Sequence, residues 1–590
     1  MSAWTRFLTG LDERIGFRKL LKEGLDEPVP GGASWAYVFG SATLVVFGVQ
    51  LLTGLVLAVY YSPSATDAWA SVAYLERAIT FGAFVRGIHH HAAGVMVVLV
   101  VFHMLQVALY GAYKKPREAN WLSGLALFGL VLAFALTGYL LPWDQTGYWA
   151  TKVATSIAGT VPVVGESIQR IAQGGNDYGN LTLTRFYALH VIVLPLTTCA
   201  ILGAHIALFR KHGITYSPTL SADAAKKRTE HFWPKQVFYD AVFCFLVVVV
   251  VVAMGARLGA PLQAPADPSS NFIARPEWYF LFLFQLLKYF EGPLQVVGTV
   301  IIPGAVATFL VVLPFLDRGE DRRFTKRLPF LAAFGAGLGV VVLLTLLAKR
   351  HDANDPTIAA QQKTSAREAA RARELAASGV PTQGATYMMQ TDPLVRGERV
   401  FRRECLSCHV LEGEGPGEPK GPDLTAYASK AWIRQVLRDP DSPRLYGRTK
   451  VEGMESYAKL SDAEISTLVD FVYAQRDPEA PAPDERPGSE LVDANDCGNC
   501  HDFEDAYGLE GPALFRYGTL TWMSQVIDDA GADHLFGEMN DMPAFEEKLS
   551  KPDREALAAF LMSLPERAPK DAWPYVDDPG PVPSPRSVTK

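Results

Sequence analysis

Four histidines stand in pairs inside apolar runs: His89 and His103 are 14 residues apart, and His190 and His205 are 15 apart. Two further motifs, Cys405-Leu-Ser-Cys408-His409 and Cys497-Gly-Asn-Cys500-His501, lie in the polar region beyond the last apolar run. The first set has the chemistry of bis-imidazole haem ligation inside a bilayer. The second is the CxxCH pattern, in which two thioethers hold haem covalently and the histidine is its proximal ligand. Together they describe an electron path from the membrane interior to a water-soluble head.

A histidine in a membrane span is costly and marks a functional candidate, although one bonded to a neighbouring helix would be unremarkable. Spacing favours ligation. Fourteen residues is nearly four helical turns, so His89 and His103 share a face, about 21 Å apart along the axis. His90 and His91 stand 13 and 12 residues from His103 and turn away from that face. The 15-residue interval drifts by about 60° from alignment. Gly40 and Gly54 in the first apolar run, and Gly124 and Gly138 in the third, repeat the 14-residue interval. Small residues are common where helices pack, but four glycines at the histidine interval suit notches that admit flat rings. Two stacked haems are therefore expected, His89 with His190 near the outer face and His103 with His205 near the inner face.

These residues need spans to hold them. Of 590 residues, 49% are hydrophobic and only 20% charged, with the apolar runs gathered between residues 36 and 350. Seven runs, about 36–60, 90–112, 121–141, 187–209, 236–256, 297–316 and 329–348, approach the ~20 residues a bilayer requires. The first is long enough to stay as a span rather than be removed as a leader. The run 278–290 is short and reads as a partly embedded loop helix. Basic residues cluster at the N-terminus (Arg6, Arg14, Arg18, Lys19, Lys22) and in alternate loops, such as Lys114, Lys115 and Arg117, or Arg318, Arg322 and Arg323. The positive-inside rule then places the N-terminus in the cytoplasm. Seven spans put the CxxCH region outside, on the periplasmic side of a bacterial cytoplasmic membrane, where haem is attached covalently.

The region beyond residue 350 is polar. Residues 351–385 are rich in Ala and Arg and are expected to form a helical linker; the Pro-rich tail 568–590 is expected to be extended or disordered. Zinc ribbons place their CxxC pairs about 15–20 residues apart, whereas these motifs lie more than ninety apart. After His409 come Gly421-Pro422-Asp423-Leu424 and Met454; after His501 come Gly511-Pro512-Ala513-Leu514 and Met542-Pro543-Ala544-Phe545. A methionine sulfur as sixth ligand raises the haem potential. Met454 and Met542 are the choices, with Met539 and His534 as rivals in the second repeat. Both repeats resemble class I cytochromes c, at residues 386–478 and 479–567. The second is acidic, which serves solubility or steers a basic acceptor. Cys199 and Cys244 read as inert, so no disulfide is expected.

Residues 1–350 resemble cytochrome b of the quinol-oxidising bc complexes, closest to the b6 and subunit IV type. The resemblance is carried by Lys114-Lys115-Pro116-Arg117-Glu118, by Gly138-Tyr139-Leu140-Leu141-Pro142-Trp143-Asp144-Gln145, by Leu183-Thr184-Arg185-Phe186-Tyr187-Ala188-Leu189-His190 and by Pro276-Glu277-Trp278-Tyr279. It divides the membrane part into a b6-like portion, 1–230, and a subunit IV-like portion, 231–350. The b6 proteins carry a cysteine near the start of the first span that holds an extra haem; Val38 stands there, so no such haem is expected. The resemblance implies two quinone sites. The outer one is lined by Pro276, Glu277, Trp278 and Tyr279, with Tyr148 opposite; quinol oxidation releases protons, and Glu277 is the carboxylate that accepts one. The inner one lies near His205 and Arg210, although Arg210 could instead anchor a propionate or the membrane interface. Arg86 is a further candidate for holding cofactor.

The expected fold is all-α: a seven-span bundle followed by two small helical cytochrome c domains. The expected cofactors are two non-covalent haems b, two covalent haems c and a quinone. Expected partners are membrane lipid, quinol, a cytochrome c or terminal oxidase as acceptor, a second copy in a homodimer, and a separate Rieske iron–sulfur protein, because the cysteines are otherwise accounted for. No nucleic-acid partner is expected. The alternatives are a dihaem anchor relaying electrons for a separate dehydrogenase and an assembly protein without haem.

Overall fold

The computed structural model describes residues 2–567 and Trp573, so the remainder of the Pro-rich tail lies outside the described residues. The chain divides into two compact units, Met1–Thr386 and Tyr387–Lys590.

Among the described residues, seven helices, all in the first unit, are long and apolar enough to cross a membrane: Trp35–Tyr60, Gly82–Tyr110, Glu118–Leu140, Asn180–His212, Phe232–Leu258, Gly292–Leu316 and Leu328–Asn354. They coincide with the seven apolar runs. Their outward side chains have no protein cover; Leu52 and Val59 are 69% and 74% exposed, as suits lipid-facing positions. Spans one, two and five share a core of Ala42, Val46, Ile88, Ala92, Met96, Leu99, Val100 and Val251. Spans two and five touch backbone to backbone: a Cβ on Gly87 would lie 2.7 Å from the Gly255 carbonyl oxygen, so only glycine permits this crossing. Short strands Pro28–Val29 and Glu230–His231 pair antiparallel and tie the N-terminal segment to the start of span five.

Span four is not a uniform helix. A π-turn occupies Leu189–Val193 and is followed by Leu194-Pro195. Proline has no N–H, and its ring crowds the carbonyl four residues back, here that of Val191, so an i→i+5 turn is a local solution. Span six repeats the arrangement, a π-turn at Val297–Ile301 before Ile302-Pro303. In span four the wider turn absorbs one residue, so the 15-residue histidine interval acts as the 14 of span two. The 60° drift expected from uniform α-helix gives way to the offset of span two, about 40° short of four full turns.

At one end of the bundle a buried charge cluster joins the b6-like and subunit IV-like portions. Asp317 accepts hydrogen bonds from Lys114 Nζ (2.6 Å), Tyr113 OH (2.7 Å) and Arg327 Nε (3.0 Å). Arg327 also donates to the carbonyls of Ala108 (2.5 Å) and Leu109 (3.0 Å), capping the C-terminal end of span two.

In the second unit the two CxxCH repeats interlock. The opening helix of the first repeat, Pro393–Glu404, packs on the closing helix of the second, Lys551–Arg567. Phe401 and Phe560 meet with ring centres 5.8 Å apart, Arg396 pairs with Asp553 at 2.7 Å, and a Cβ on Gly397 would strike the Ala556 carbonyl. The closing helix of the first repeat, Asp462–Tyr473, meets the second repeat through Thr467 and Phe471, against Gly488 and Phe503. Trp573 returns to the first repeat and donates to the Thr425 carbonyl (2.6 Å). One hydrophobic core runs through both repeats.

Candidate functional site

Each paired histidine rests in one glycine notch. A Cβ on Gly54 would lie 3.1 Å from His89 Cε1, and one on Gly138 would lie 2.6 Å from His190 Cε1. Gly40 and Gly124 stand likewise 3.3 Å from Cε1 of His103 and His205. The notches thus let each imidazole edge lie against the neighbouring span. His89 and His190 face one another with ring centres 6.3 Å apart. Two imidazole–metal bonds of about 2 Å, with each ring centre a further ~1 Å behind its nitrogen, require a separation close to this. His91 is directed elsewhere, its Nε2 2.7 Å from the Gly259 carbonyl oxygen.

Sequence reasoning missed a layer of hydroxyls behind these rings. Thr53 Oγ1 lies 2.9 Å from His89 Nδ1, Thr137 Oγ1 3.0 Å from His190 Nδ1 and Ser123 Oγ 2.9 Å from His205 Nδ1. Each hydroxyl donates its one proton to a carbonyl of its own helix, that of Val49, Ala133 or Asn120. It can therefore only accept from the ring. The Nδ1–H tautomer follows, which leaves Nε2 with a free lone pair toward a metal. All three hydroxyls immediately precede a notch glycine, a Thr/Ser-Gly signal readable in the sequence. Phe39 precedes Gly40, so His103 has no hydroxyl of this kind.

Pro276–Tyr279 lies beside the His89 end. The indole of Trp278 covers Gly94, five residues along span two from His89, or about 7.5 Å of helix rise. Glu277 and Tyr279 are near neighbours of Tyr139, which ends span three and was not singled out from sequence. Burial, opposed by the Trp278 amide and reinforced by Asp144, holds the Glu277 carboxyl above its ordinary value. The segment before this motif is stitched in place. Asp144 accepts from Gly147 N (2.8 Å) and Gln263 N (3.0 Å), and Trp69 Nε1 donates to the Gln263 carbonyl (2.7 Å). Arg86 pairs with Glu76 and donates to the carbonyls of Ala260 (3.1 Å) and Pro261 (2.8 Å), so its guanidinium holds this loop. Tyr148 is buried with Trp143, Trp149 and Tyr178 as ring partners. Arg210 binds Glu27 (3.2 Å), which ties span four to the N-terminal segment.

In the second unit, both CxxCH motifs form tight turns: His409 N donates to the Cys405 carbonyl (2.9 Å) and His501 N to that of Cys497 (3.0 Å). His409 Nδ1 lies 2.9 Å from the Pro422 carbonyl oxygen and His501 Nδ1 2.8 Å from that of Pro512, which again frees Nε2. Gly421 and Gly511 lie against these rings. Cys408 and Cys500 are half-buried. The repeats also place two methionines alike. Tyr457 N bonds the Leu437 carbonyl (2.8 Å) and Phe545 N bonds that of Ile527 (3.2 Å). Met454 and Met542 each stand three residues before that aromatic and pack on the core. His534, whose carbonyl accepts from Ala513 N, matches instead Arg444, whose carbonyl accepts from Asp423 N. Met539 closes a short turn, Gly537–Met539.

Facing histidines in a glycine-notched bundle, with two CxxCH turns in a separate head, define a membrane electron-transfer protein that carries haem. Residues 25–213 match the family described as Cytochrome b/b6/petB and residues 265–366 that described as Cytochrome b(C-terminal)/b6/petD. Residues 394–475 match Cytochrome c, and residues 483–561 match Cytochrome C oxidase, cbb3-type, subunit III. Cytochrome b6 of Cyanidium caldarium is 38% identical over 211 residues, which are 36% of this chain and 98% of that protein. Cytochrome b6 of Prochlorococcus marinus (strain MIT 9211) is 38% identical over 203 residues, 34% of this chain and 93% of that protein. A solved structure titled "Hyperthermophilic respiratory Complex III" aligns with TM-score 0.52 and 29% identity, covering 62% of this chain and 95% of that one. The chain belongs to the cytochrome b/b6 family, with cytochrome c domains following its membrane part. It is an integral membrane subunit of a bc-type redox complex, its cytochrome b part of the kind that carries haem b and its cytochrome c domains of the kind that hold haem covalently.

Proposed function

We propose that this chain oxidises membrane quinol at an outer site beside Glu277 and distributes the electrons along two routes, coupled to proton translocation, as part of a quinol–cytochrome c oxidoreductase. The observation that carries this reading is the Pro276–Tyr279 motif set against span two next to the His89/His190 pair. Quinol oxidation releases two electrons and two protons. Glu277 accepts one proton; its raised value brings it nearer the operating pH, where a base works best. Tyr279 and Tyr139 flank the carboxyl, while Pro276 and Trp278 wall the site.

Bound haems supply one-electron storage and transfer. His89 with His190, and His103 with His205, would hold two haems b, with Gly40, Gly54, Gly124 and Gly138 giving the rings room. Cys405 and Cys408, and Cys497 and Cys500, would hold two haems c, with His409 and Met454, and His501 and Met542, as the residues that would bind each iron. With haem held there, the two histidine pairs would offer one electron a route toward an inner quinone, and the CxxCH head would receive the other from a separate Rieske protein for a cytochrome c or terminal oxidase. The complex is a homodimer in a bacterial cytoplasmic membrane, with the N-terminus inside and the head in the periplasm.

The test is Glu277→Gln in the purified complex. Haem content unchanged with quinol oxidation at pH 7 lowered by about 10²-fold or more supports the reading. Full quinol oxidation by this variant favours the alternative of a relay for a separate dehydrogenase.

A further inference from the structure

Helix Pro356–Ala377, which follows the last span, does not hang free. It runs along the segment that precedes Pro276 and is bonded to it at successive points. Asp352, at the end of span seven, pairs with Arg275 (3.0 Å). Gln361 clasps the Ile273 peptide with both ends of its amide: Ile273 N donates to Oε1 (2.8 Å), and Nε2 donates to the Ile273 carbonyl (3.1 Å). Further along, Arg373 donates to the Leu262 carbonyl (2.9 Å) and Thr386 to the Ala266 carbonyl (2.8 Å). Ile358, Ala369, Ala372 and Ala376 of this helix are buried. The segment 261–275 has almost no secondary structure of its own, so its backbone is met from outside: by Asp144, Trp69 and Arg86 in its first part and by Gln361 at Ile273.

We infer that Gln361 is a positioning residue for quinol oxidation, and that the linker helix forms the outer wall that fixes the backbone leading into Glu277. This rests on the quinol-oxidising role proposed for Glu277. Ile273 is four residues from Glu277, and Arg275, paired with Asp352, is two residues away. A shift of the Ile273 peptide is therefore passed down a short extended chain to the carboxyl. Substrate positioning is sensitive to displacements of about 1 Å.

The experiment compares Gln361→Met, which keeps the length but loses both hydrogen bonds, with Gln362→Met on the exposed side of the same helix. Both are made in the full complex and assayed with a short-chain quinol, beside Glu277→Gln and Asp352→Asn. Gln361→Met is expected to raise KM about tenfold at little cost in kcat, the scale of two lost hydrogen bonds. Amide exchange at Ile273 should quicken, while haem content and Gln362→Met stay at the parent values. Asp352→Asn should shift KM in the same direction and serves as the test if Gln361→Met does not assemble. Parent KM in both variants overturns the inference, whereas quinol oxidation surviving Glu277→Gln overturns the reading beneath it.

Discussion

Thr53, Ser123 and Thr137 each commit their proton to their own helix and so can only accept from the histidine beside them. A ring that donates through Nδ1 is a more basic ligand through Nε2, which favours the oxidised metal. Thr53→Val is therefore expected to raise the midpoint potential of the His89/His190 haem, on the order of 40 mV for one hydrogen bond. Potentiometric titration of the b haems checks this, and the other b potential should not move. Glu277 gives a second residue-scale test. Its carboxyl lies above the ordinary value near 4, and the base must be ionised to take a proton. kcat/KM for quinol should fall as pH drops through that raised value, and Glu277→Gln should erase this acid limb. The facing histidines were legible because their spacing, 14 and 15 residues, is nearly that of the glycine pairs in two other spans, and helical phase alone favoured His89 over His90 and His91. The hydroxyls were equally visible as Thr/Ser-Gly pairs, but their meaning needs the neighbouring ring in place. Arg210 had two readings open from sequence, and its partner, Glu27, is 183 residues away, beyond what any local pattern can report.

At the scale of elements, all seven spans follow from apolar length. What length could not give was the π-turn at Leu189–Val193. Proline disfavours the regular turn before it, but how the helix adjusts depends on packing. The charge cluster around Asp317 is also a product of distant loops meeting. Burial alone would raise this carboxyl; hydrogen bonds from Lys114, Tyr113 and Arg327 outweigh it and hold it below its ordinary value. A lowered folded value means the carboxylate stabilises the fold above its unfolded value, near pH 4, and that this contribution is lost as pH falls through the folded value. Asp317→Asn should cost about 3 kcal/mol at neutral pH, since it leaves buried cations without their counter-charge. The measurement is thermal unfolding of the detergent-solubilised protein, and the gap from the parent should shrink in acid. The repeats of the second unit were legible as two cytochrome c patterns, but not their exchange of terminal helices, because residues 393–404 match the expected opening helix of the first repeat whichever closing helix they meet.

For the whole molecule, one chain joins a membrane part of the b/b6 kind to a c-type head whose repeats share a core. The order of chemistry along the sequence was readable from histidine pairs, the Pro-Glu-Trp-Tyr motif and CxxCH. The linker was readable as a helix, though not as a wall against the loop before Glu277, since its bonds to Ile273 and Leu262 span 88 and 111 residues. The central claim is that four membrane histidines hold the haems of one electron route and two CxxCH turns those of another, the two dividing at the quinol site. The most direct test is a pyridine haemochrome spectrum with protein quantitation on the purified chain. Two haems b and two haems c per chain are predicted; fewer than two haems b would contradict the pairing of His89 with His190 and His103 with His205, and with it the path across the membrane.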